Sequence, residues 1–157
     1  MNPIIMSILL SMAPVSELRG GIPWAISQGV NIYMAYVVCV LANIIVVPAI
    51  FFFLESLHHH LINIRIYKKV FDKFMERTRR KLHKKVEKYG YFGLTLFVAV
   101  PLPVTGAWTG TLGAWFFGMD KIKSFLAILL GVAIAGVIVT IVALVGGNGL
   151  SIFIKSI

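Results

Sequence analysis

The chain has 157 residues, 59% of them hydrophobic, and a mean hydropathy of +0.90. Long uncharged runs at this hydropathy exclude an ordinary soluble domain and indicate one all-α integral membrane domain, 1–157. The net charge of +9 does not indicate nucleic-acid binding, because eleven of the fifteen Lys and Arg lie within residues 55–88. Under the positive-inside rule this segment is expected to be cytoplasmic, in a multi-pass protein of the plasma (inner) membrane.

The first apolar segment, 3–29, is predicted to be a re-entrant helical hairpin. Its first arm, 3–13, has eleven residues. As a helix it covers about 16 Å, roughly half of a hydrocarbon core of about 30 Å. The residues predicted to break the helix at the tip are Pro14, Gly20, Gly21 and Pro23. Broken backbone inside a bilayer must be enclosed by protein or water, so this tip is a candidate substrate site.

Residues 32–54 form an uncharged run that is long enough to cross the membrane as a helix. Within it Pro48 predicts a kink, and the amide of Asn43 either bonds to a facing helix or lines a pathway. The basic segment 55–88 follows, with apolar residues at near-helical spacing that predict an amphipathic cytoplasmic helix. Its three consecutive histidines, 58–60, point in different directions on a helix and are interpreted as a solvated face.

The second half of the chain is predicted to contain another hairpin, 90–118, and another crossing, 122–146. The residues predicted to break the helix at the second tip are Pro101, Pro103, Gly106 and Gly110. A glycine-rich stretch at 146–149 is predicted to end the second crossing, which leaves a short tail, 147–157.

A shift of 89 positions aligns residues 14–31 with 103–120 without gaps, with five identities and two conservative pairs. Each half, a hairpin that returns to its own side plus a single crossing, traverses the membrane an odd number of times. The second half is therefore expected to be inverted. Since segment 55–88 is expected inside, both termini are predicted to lie outside. The pattern predicts two inverted repeats, 1–54 and 90–146, around a site near the membrane midplane.

Two charged residues lie at the first tip. A charge at this depth costs about 2.5–3.5 kcal/mol on insertion scales, so Glu17 and Arg19 are predicted to face a cavity or partners. At positions i and i+2 of a helix, their side chains are expected to point to opposite sides. Arg19 offers a donor fork suited to phosphate or carboxylate, and Glu17 is a candidate coupling residue for a proton or sodium ion. Alternatively, the two charges only pair with other groups and hold the bundle together.

The remaining candidate binding residues are hydroxyls and one aromatic ring near the tips. The predicted substrate-binding set is Ser16, Arg19, Thr105, Trp108 and Thr109. Tryptophan at such positions more often packs or anchors the protein at the interface than stacks on a substrate.

The motif SELRGGIP at 16–23 and the motif PLPVTGAWTG at 101–110 resemble the small multidrug export protein family, over nearly the whole chain. That family is similar to the DedA (VTT-domain) superfamily, and the resemblance implies paired re-entrant hairpins in inverted repeats. It also implies, as in several DedA members, ion-coupled movement of phosphate-bearing lipids, with Glu17 and Arg19 as the acidic and basic residues of the first hairpin. DedA members proper carry arginine in the second hairpin, whereas this chain has Thr105, Trp108 and Thr109.

Three functions fit these residues. The first is ion-coupled transport of an amphipathic anion such as a polyprenyl phosphate, with Arg19 and the tip hydroxyls binding the head group. The second is export of small cationic drugs, with Glu17 as the exchanging carboxylate. The third is an uncoupled lipid scramblase or a scaffold.

No set of catalytic residues, no cofactor and no metal site is predicted. The expected partners are membrane lipids, a lipid-phosphate or small-molecule substrate, a coupling proton or sodium ion, and a second copy of the chain in a homodimer. Nucleic acid is not among them.

Overall fold

The computed structural model describes residues 2–56, 72–73, 76, 89–102 and 105–155. This part of the chain contains six helices and no strand. Their bounds are α1 Pro3–Met12, α2 Glu17–Ser27, α3 Ile32–Ser56, α4 Tyr89–Ala99, α5 Ala107–Phe116 and α6 Lys121–Lys155. The all-α prediction is confirmed. The predicted amphipathic helix over 55–88, its histidines and Pro103 lie largely or entirely outside the described residues.

The first hairpin consists of two short helices that pack against each other. Asn2 caps α1, because its side-chain oxygen accepts a hydrogen bond from the Ile4 N–H at 3.0 Å. Pro3 occupies the first helical position, where the missing N–H costs nothing. With ten residues, α1 is about 15 Å long, half the thickness of a hydrocarbon core. The predicted length is confirmed; whether the hairpin is re-entrant stays a prediction.

The chain breaks between α1 and α2 at residues 13–16, where Pro14 lies. The prediction that Gly20, Gly21 and Pro23 also break the helix is wrong, because all three lie inside α2. Pro23 removes only its own N–H from the helix, and the helix continues without that hydrogen bond.

Gly21 serves close packing instead of flexibility. A Cβ at this position would overlap Ser11 Oγ and lie 2.8 Å from the Ser7 carbonyl oxygen. A larger residue would therefore push α2 away from α1.

In the second hairpin the break contains Pro101 and Gly106, as predicted. Gly110, however, lies inside α5, so its assignment as a break is wrong. A Cβ at Gly110 would lie 2.7 Å from Val98 Cγ2 of α4. This glycine also serves close helix packing.

The helices α3 and α6 are the two that are long and apolar enough to cross a membrane within the described residues. The helix α3 extends to Ser56 and contains Pro48. The helix α6 continues to Lys155, so the prediction that the glycines at 146–149 end it is wrong. Each glycine lowers helix propensity by about 1 kcal/mol relative to alanine, but no proline follows to stop the helix.

The chain divides into two compact units. The first comprises Met1–Asn43 and Ala133–Ile157, and the second comprises Ile44–Val132. In the first unit the Tyr36 hydroxyl donates to the Ala133 carbonyl oxygen at 3.1 Å, which joins α3 to α6. In the second unit the Thr95 hydroxyl donates to the Ala127 carbonyl oxygen at 3.0 Å, which joins α4 to α6.

Large apolar side chains cover the exterior of the described helices. On α3 and α6, those at least half exposed include Tyr33, Leu41, Ile45, Phe52, Leu126, Leu130 and Val142. The buried polar or charged residues are Ser7, Ser11, Glu17, Asn43, Thr95, Thr105, Thr109, Thr111 and Ser124. An exterior this apolar, with polar residues buried among the apolar ones of the interior, suits lipid as the surrounding solvent.

The turns after α2 and α5 are built alike, 89 positions apart. Gly29 and Gly118 both have positive φ, 78° and 63°, the conformation that glycine adopts without steric cost. The equivalent hydrogen bonds run from Val30 N to Ala25 O (3.0 Å) and from Met119 N to Ala114 O (2.9 Å). The sequence similarity between the two halves therefore extends to their local structure.

The caps of α3 and α6 match in the same way. The side-chain oxygen of Asn31 accepts from the Tyr33 N–H, and that of Asp120 accepts from the Lys123 N–H, each at 2.9 Å. Both residues satisfy an N–H of the first helical turn, which explains why the two crossings begin at corresponding positions.

Candidate functional site

Glu17 lies at the first position of α2, at the tip of the first hairpin. It is 5% exposed, and within the described residues it is the only charged residue that is buried. Its φ of 45° is also the only positive φ of a non-glycine residue in this part of the chain. A charged residue held in the left-handed region marks the tip as a candidate functional site, because such strain persists only where the surrounding structure enforces it.

Arg19 approaches Glu17 within the same turn. The distance from Arg19 Nη2 to Glu17 Oε2 is 4.0 Å, an ion pair longer than a hydrogen bond. The prediction that the two side chains point to opposite sides is therefore wrong. It assumed helical backbone at both residues, whereas the left-handed φ of Glu17 redirects its side chain. The Arg19 side chain is 23% exposed and that of Glu17 is 7% exposed, so the carboxylate is the more deeply buried partner.

The hydroxyl of Ser16 donates to the Leu10 carbonyl oxygen in the last turn of α1. Thr105, at the corresponding position of the second half, lies 2.7 Å and 2.8 Å from the carbonyl oxygens of Val100 and Leu102. Its oxygen also accepts from the Leu102 N–H at 3.1 Å. Both hydroxyls hold the backbone of their own tip, so substrate binding by either would have to replace these bonds.

Thr109 is buried on α5, with 4% exposure. Its neighbour Trp108 packs with Leu112 and Trp115 on a cluster of apolar residues in the second unit. That cluster consists of Val46, Ile50 and Leu54. The position of Trp108 agrees with the packing interpretation of this residue.

The structure places the predicted site residues in two groups. Ser16, Glu17 and Arg19 belong to the first unit, and Thr105, Trp108 and Thr109 belong to the second. That the two groups form one substrate site stays a prediction.

A buried polar group formed by residues of α1 and α3 was not among the predicted site residues. Ser7 and Ser11, four residues apart on α1, are 1% and 0% exposed. The Asn43 side chain donates from Nδ2 to the Ser11 carbonyl oxygen at 3.2 Å, which confirms that this amide bonds a facing helix. Two serines at helical spacing in an otherwise apolar arm were the signal in the sequence.

No three His, Cys, Asp or Glu side chains come together as a metal site in the part of the chain that the structure describes. An apolar exterior, two helices able to span a bilayer and a buried carboxylate define this molecule as an integral membrane protein.

The family model described as "Putative small multi-drug export protein" matches residues 17–138, and the chain belongs to this family. The matched range begins at Glu17 and includes both motifs' charged and hydroxyl residues except Ser16. No curated protein and no solved structure matches the chain. The resemblance to small multidrug export proteins is confirmed, and the relation to the DedA superfamily stays a prediction.

Proposed function

We propose that the chain is a membrane exporter of small amphipathic cations, in which the Glu17 carboxylate binds the substrate and a coupling ion in turn. The family description favours drug export over lipid-phosphate translocation. The observation that supports this function most directly is the burial of the Glu17 carboxylate. A negative charge in a site that excludes water attracts a cation strongly, because little solvent screens it.

The ion pair with Arg19 suits such an exchange. At 4.0 Å, the Arg19 guanidinium partly offsets the negative charge of the Glu17 carboxylate. A cationic substrate or a coupling ion then competes with the guanidinium for one carboxylate. Only one cation at a time is neutralised by Glu17, which is the requirement for exchange.

Cation flux in proteoliposomes tests this function. Vesicles that contain purified protein and ethidium are expected to release the dye when a proton or sodium gradient is imposed. Glu17→Gln is expected to lower the rate about tenfold or more, because it removes the charge and keeps the side-chain shape. Glu55→Gln, which alters an exposed carboxylate at the end of α3, is the matched control. Equal rates for the wild type and Glu17→Gln would exclude cation export through this residue.

Arg19 favours a second candidate function, ion-coupled translocation of a lipid phosphate. Its side chain is 23% exposed in the first turn of α2, where the helix dipole also favours an anion. In vesicles that contain a labelled polyprenyl phosphate, this function predicts that Arg19→Ala stops flipping while Arg19→Lys retains part of it. Flux that ionophores leave unchanged would instead indicate an uncoupled scramblase.

We also propose that the two halves are inverted repeats with both termini outside. The equivalent turns at Gly29 and Gly118 support a repeat. Within the second unit, Lys121 Nζ forms an ion pair with Glu55 Oε1, so the end of α3 meets the start of α6. The basic segment lies between those two positions in the chain, which supports placing both helix ends at the cytoplasmic face.

A further inference from the structure

Ser7 and Ser11 of α1 and Cys39 and Asn43 of α3 form a buried polar group in the first unit, the α1–α3 polar cluster. All four residues are at most 1% exposed. Two of the helices that meet here, α1 and α2, pack through Gly21, whose missing Cβ would overlap Ser11 Oγ and lie 3.2 Å from Cys39 Sγ. The cluster includes neither Glu17 nor Arg19, the residues on which the proposed function rests.

The second half of the chain provides an internal comparison. Gly21 and Gly110 correspond in the aligned sequences, and each is surrounded by two residues of the preceding helix and one of the following helix. Around Gly21 these are Ser7, Ser11 and Cys39, and around Gly110 they are Leu94, Val98 and Ile128. Asn43 likewise corresponds to Val132, and both are 1% exposed. In the second half a glycine is thus closely packed between helices by apolar residues alone.

Two oxygen atoms of the cluster lack an ordinary hydrogen bond. Within the described residues, Ser11 Oγ and Asn43 Oδ1 are buried without an ordinary hydrogen bond, and the donor beside Ser11 is the weak thiol of Cys39. Ser7 differs, because its hydroxyl donates to the Ile4 carbonyl oxygen at 2.8 Å. Leaving a buried polar atom unpaired costs about 1–3 kcal/mol. Two such atoms, on residues that are already joined by the bond from Asn43 Nδ2 to Ser11 O, favour a ligand at this cluster.

The oxygen atoms of the cluster favour a cation as the ligand. Both unpaired atoms are oxygens with free lone pairs, the ligands that hard cations prefer. Ser11 lies in the last turn of α1, where the helix dipole is negative. The Glu17 N–H donates to the Ala13 carbonyl oxygen at 3.1 Å, so a carboxylate-bearing residue begins the next helix directly beside this helix end. A proton is not the ligand, because neither a hydroxyl nor an amide oxygen binds one at physiological pH.

We propose that Ser11 Oγ and Asn43 Oδ1 bind a sodium ion at the C-terminal end of α1. The proposed function places its coupling ion on Glu17, so this sodium ion is a separate one and its binding does not rest on that function. Carbonyl oxygens at the end of a short helix and neutral side-chain oxygens are the donors that hold sodium in broken-helix transporters.

Binding of radioactive ²²Na⁺ to the detergent-purified full chain tests the site directly. The wild type is expected to bind ²²Na⁺ saturably, and unlabelled NaCl but not choline chloride is expected to compete. Asn43→Val and Ser11→Val introduce the residue types found at the corresponding positions of the second half. Each is expected to weaken binding about tenfold or more. Ser124→Ala is the control, because it removes a buried unpaired hydroxyl of the second unit and is expected to leave binding unchanged.

Absence of saturable ²²Na⁺ binding in the wild type would overturn the site, and would indicate an ordered water between the two oxygens. Unchanged binding in both Asn43→Val and Ser11→Val would also overturn it. If a valine variant fails to fold, Ser11→Ala removes the same oxygen with little change in volume and is expected to show the same loss. Sodium binding without ethidium export would contradict only the proposed function. Export driven equally well in choline, without sodium binding, would contradict only the site.

Discussion

Glu17 is strained as well as buried. Its φ of 45° is a conformation that costs a non-glycine residue about 1–3 kcal/mol, whereas glycine adopts it freely. The side chain and the backbone of this residue can therefore be tested separately.

Glu17→Gly is expected to unfold at a higher temperature than Glu17→Gln, because only the glycine relieves the backbone strain. The expected difference in the free energy of unfolding is about 1 kcal/mol. Both variants are expected to lose ethidium export, since both lack the carboxylate. Thermal unfolding in detergent measures the first effect and dye release measures the second. A glycine variant that is less stable than the glutamine variant would show that the left-handed φ is not a source of strain.

Gly21→Ala is expected to destabilise the first unit by about 1–3 kcal/mol, because its Cβ would overlap Ser11 Oγ and press on the Ser7 backbone. Gly146→Ala is the matched control: nothing lies within 4 Å of the added Cβ, and alanine favours the helix. Thermal unfolding is expected to show a lower midpoint for the first variant and an equal or higher one for the second. Similar midpoints would mean that Gly21 is not a close contact.

At the level of the helices, sequence reasoning located the elements because apolar runs and capping residues mark them. Asn31 and Asp120 precede α3 and α6, and the starts predicted for these helices differ from the observed ones by at most one residue. The prediction that glycine and proline break the helix is wrong inside α2. A glycine that permits a break and one that permits close contact are identical in sequence, and only the neighbouring helix, here Ser11 of α1, distinguishes them.

The candidate site was predictable only in part for the same reason. The charge of Glu17 in an apolar segment identified it directly. The pairing of Ser11 with Asn43 depends on two residues 32 positions apart on different helices, and one sequence without relatives carries no signal for that contact. The left-handed backbone of Glu17 was also not predictable, because nothing in its local sequence demands it.

The second tip depends on a single hydroxyl. Thr105→Ala is expected to lower the free energy of unfolding by about 1–2 kcal/mol, because it removes the bonds to Val100 and Leu102 and leaves these part-buried backbone groups without that partner. Thr140→Ala is the control, since the Thr140 hydroxyl only bonds the Gly136 carbonyl oxygen within α6. Thermal unfolding compares the two variants. An equal effect for both would show that the tip does not rely on Thr105.

For the whole molecule, the proposed topology predicts opposite accessibility of two exposed residues. In a Cys39→Ala background, a cysteine at Asn2 is expected to react with a membrane-impermeant maleimide added to intact cells. A cysteine at Glu76 is expected to react only after the cells are opened. The reverse pattern, or labelling of both from outside, would contradict the inverted arrangement.

The homodimer also stays a prediction at this scale. Two crossings and two short hairpins leave many apolar side chains exposed, and a second copy would cover part of them. Light scattering in mild detergent is expected to give twice the chain mass of 17.4 kDa. A monomeric mass at all protein concentrations would contradict the dimer.

The different surroundings of Gly21 and Gly110 have a consequence for how the proposed transporter would rest. If the two halves exchange conformations during a cycle, identical halves would make the inward-open and outward-open states equal in energy. The polar neighbours of Gly21 and the apolar neighbours of Gly110 make the two halves unequal and remove that degeneracy. A difference of about 1.4 kcal/mol already populates one state tenfold over its counterpart. Without ligand, the protein would then mainly occupy one of these two states. A ligand that binds the polar residues around Gly21 would change their populations.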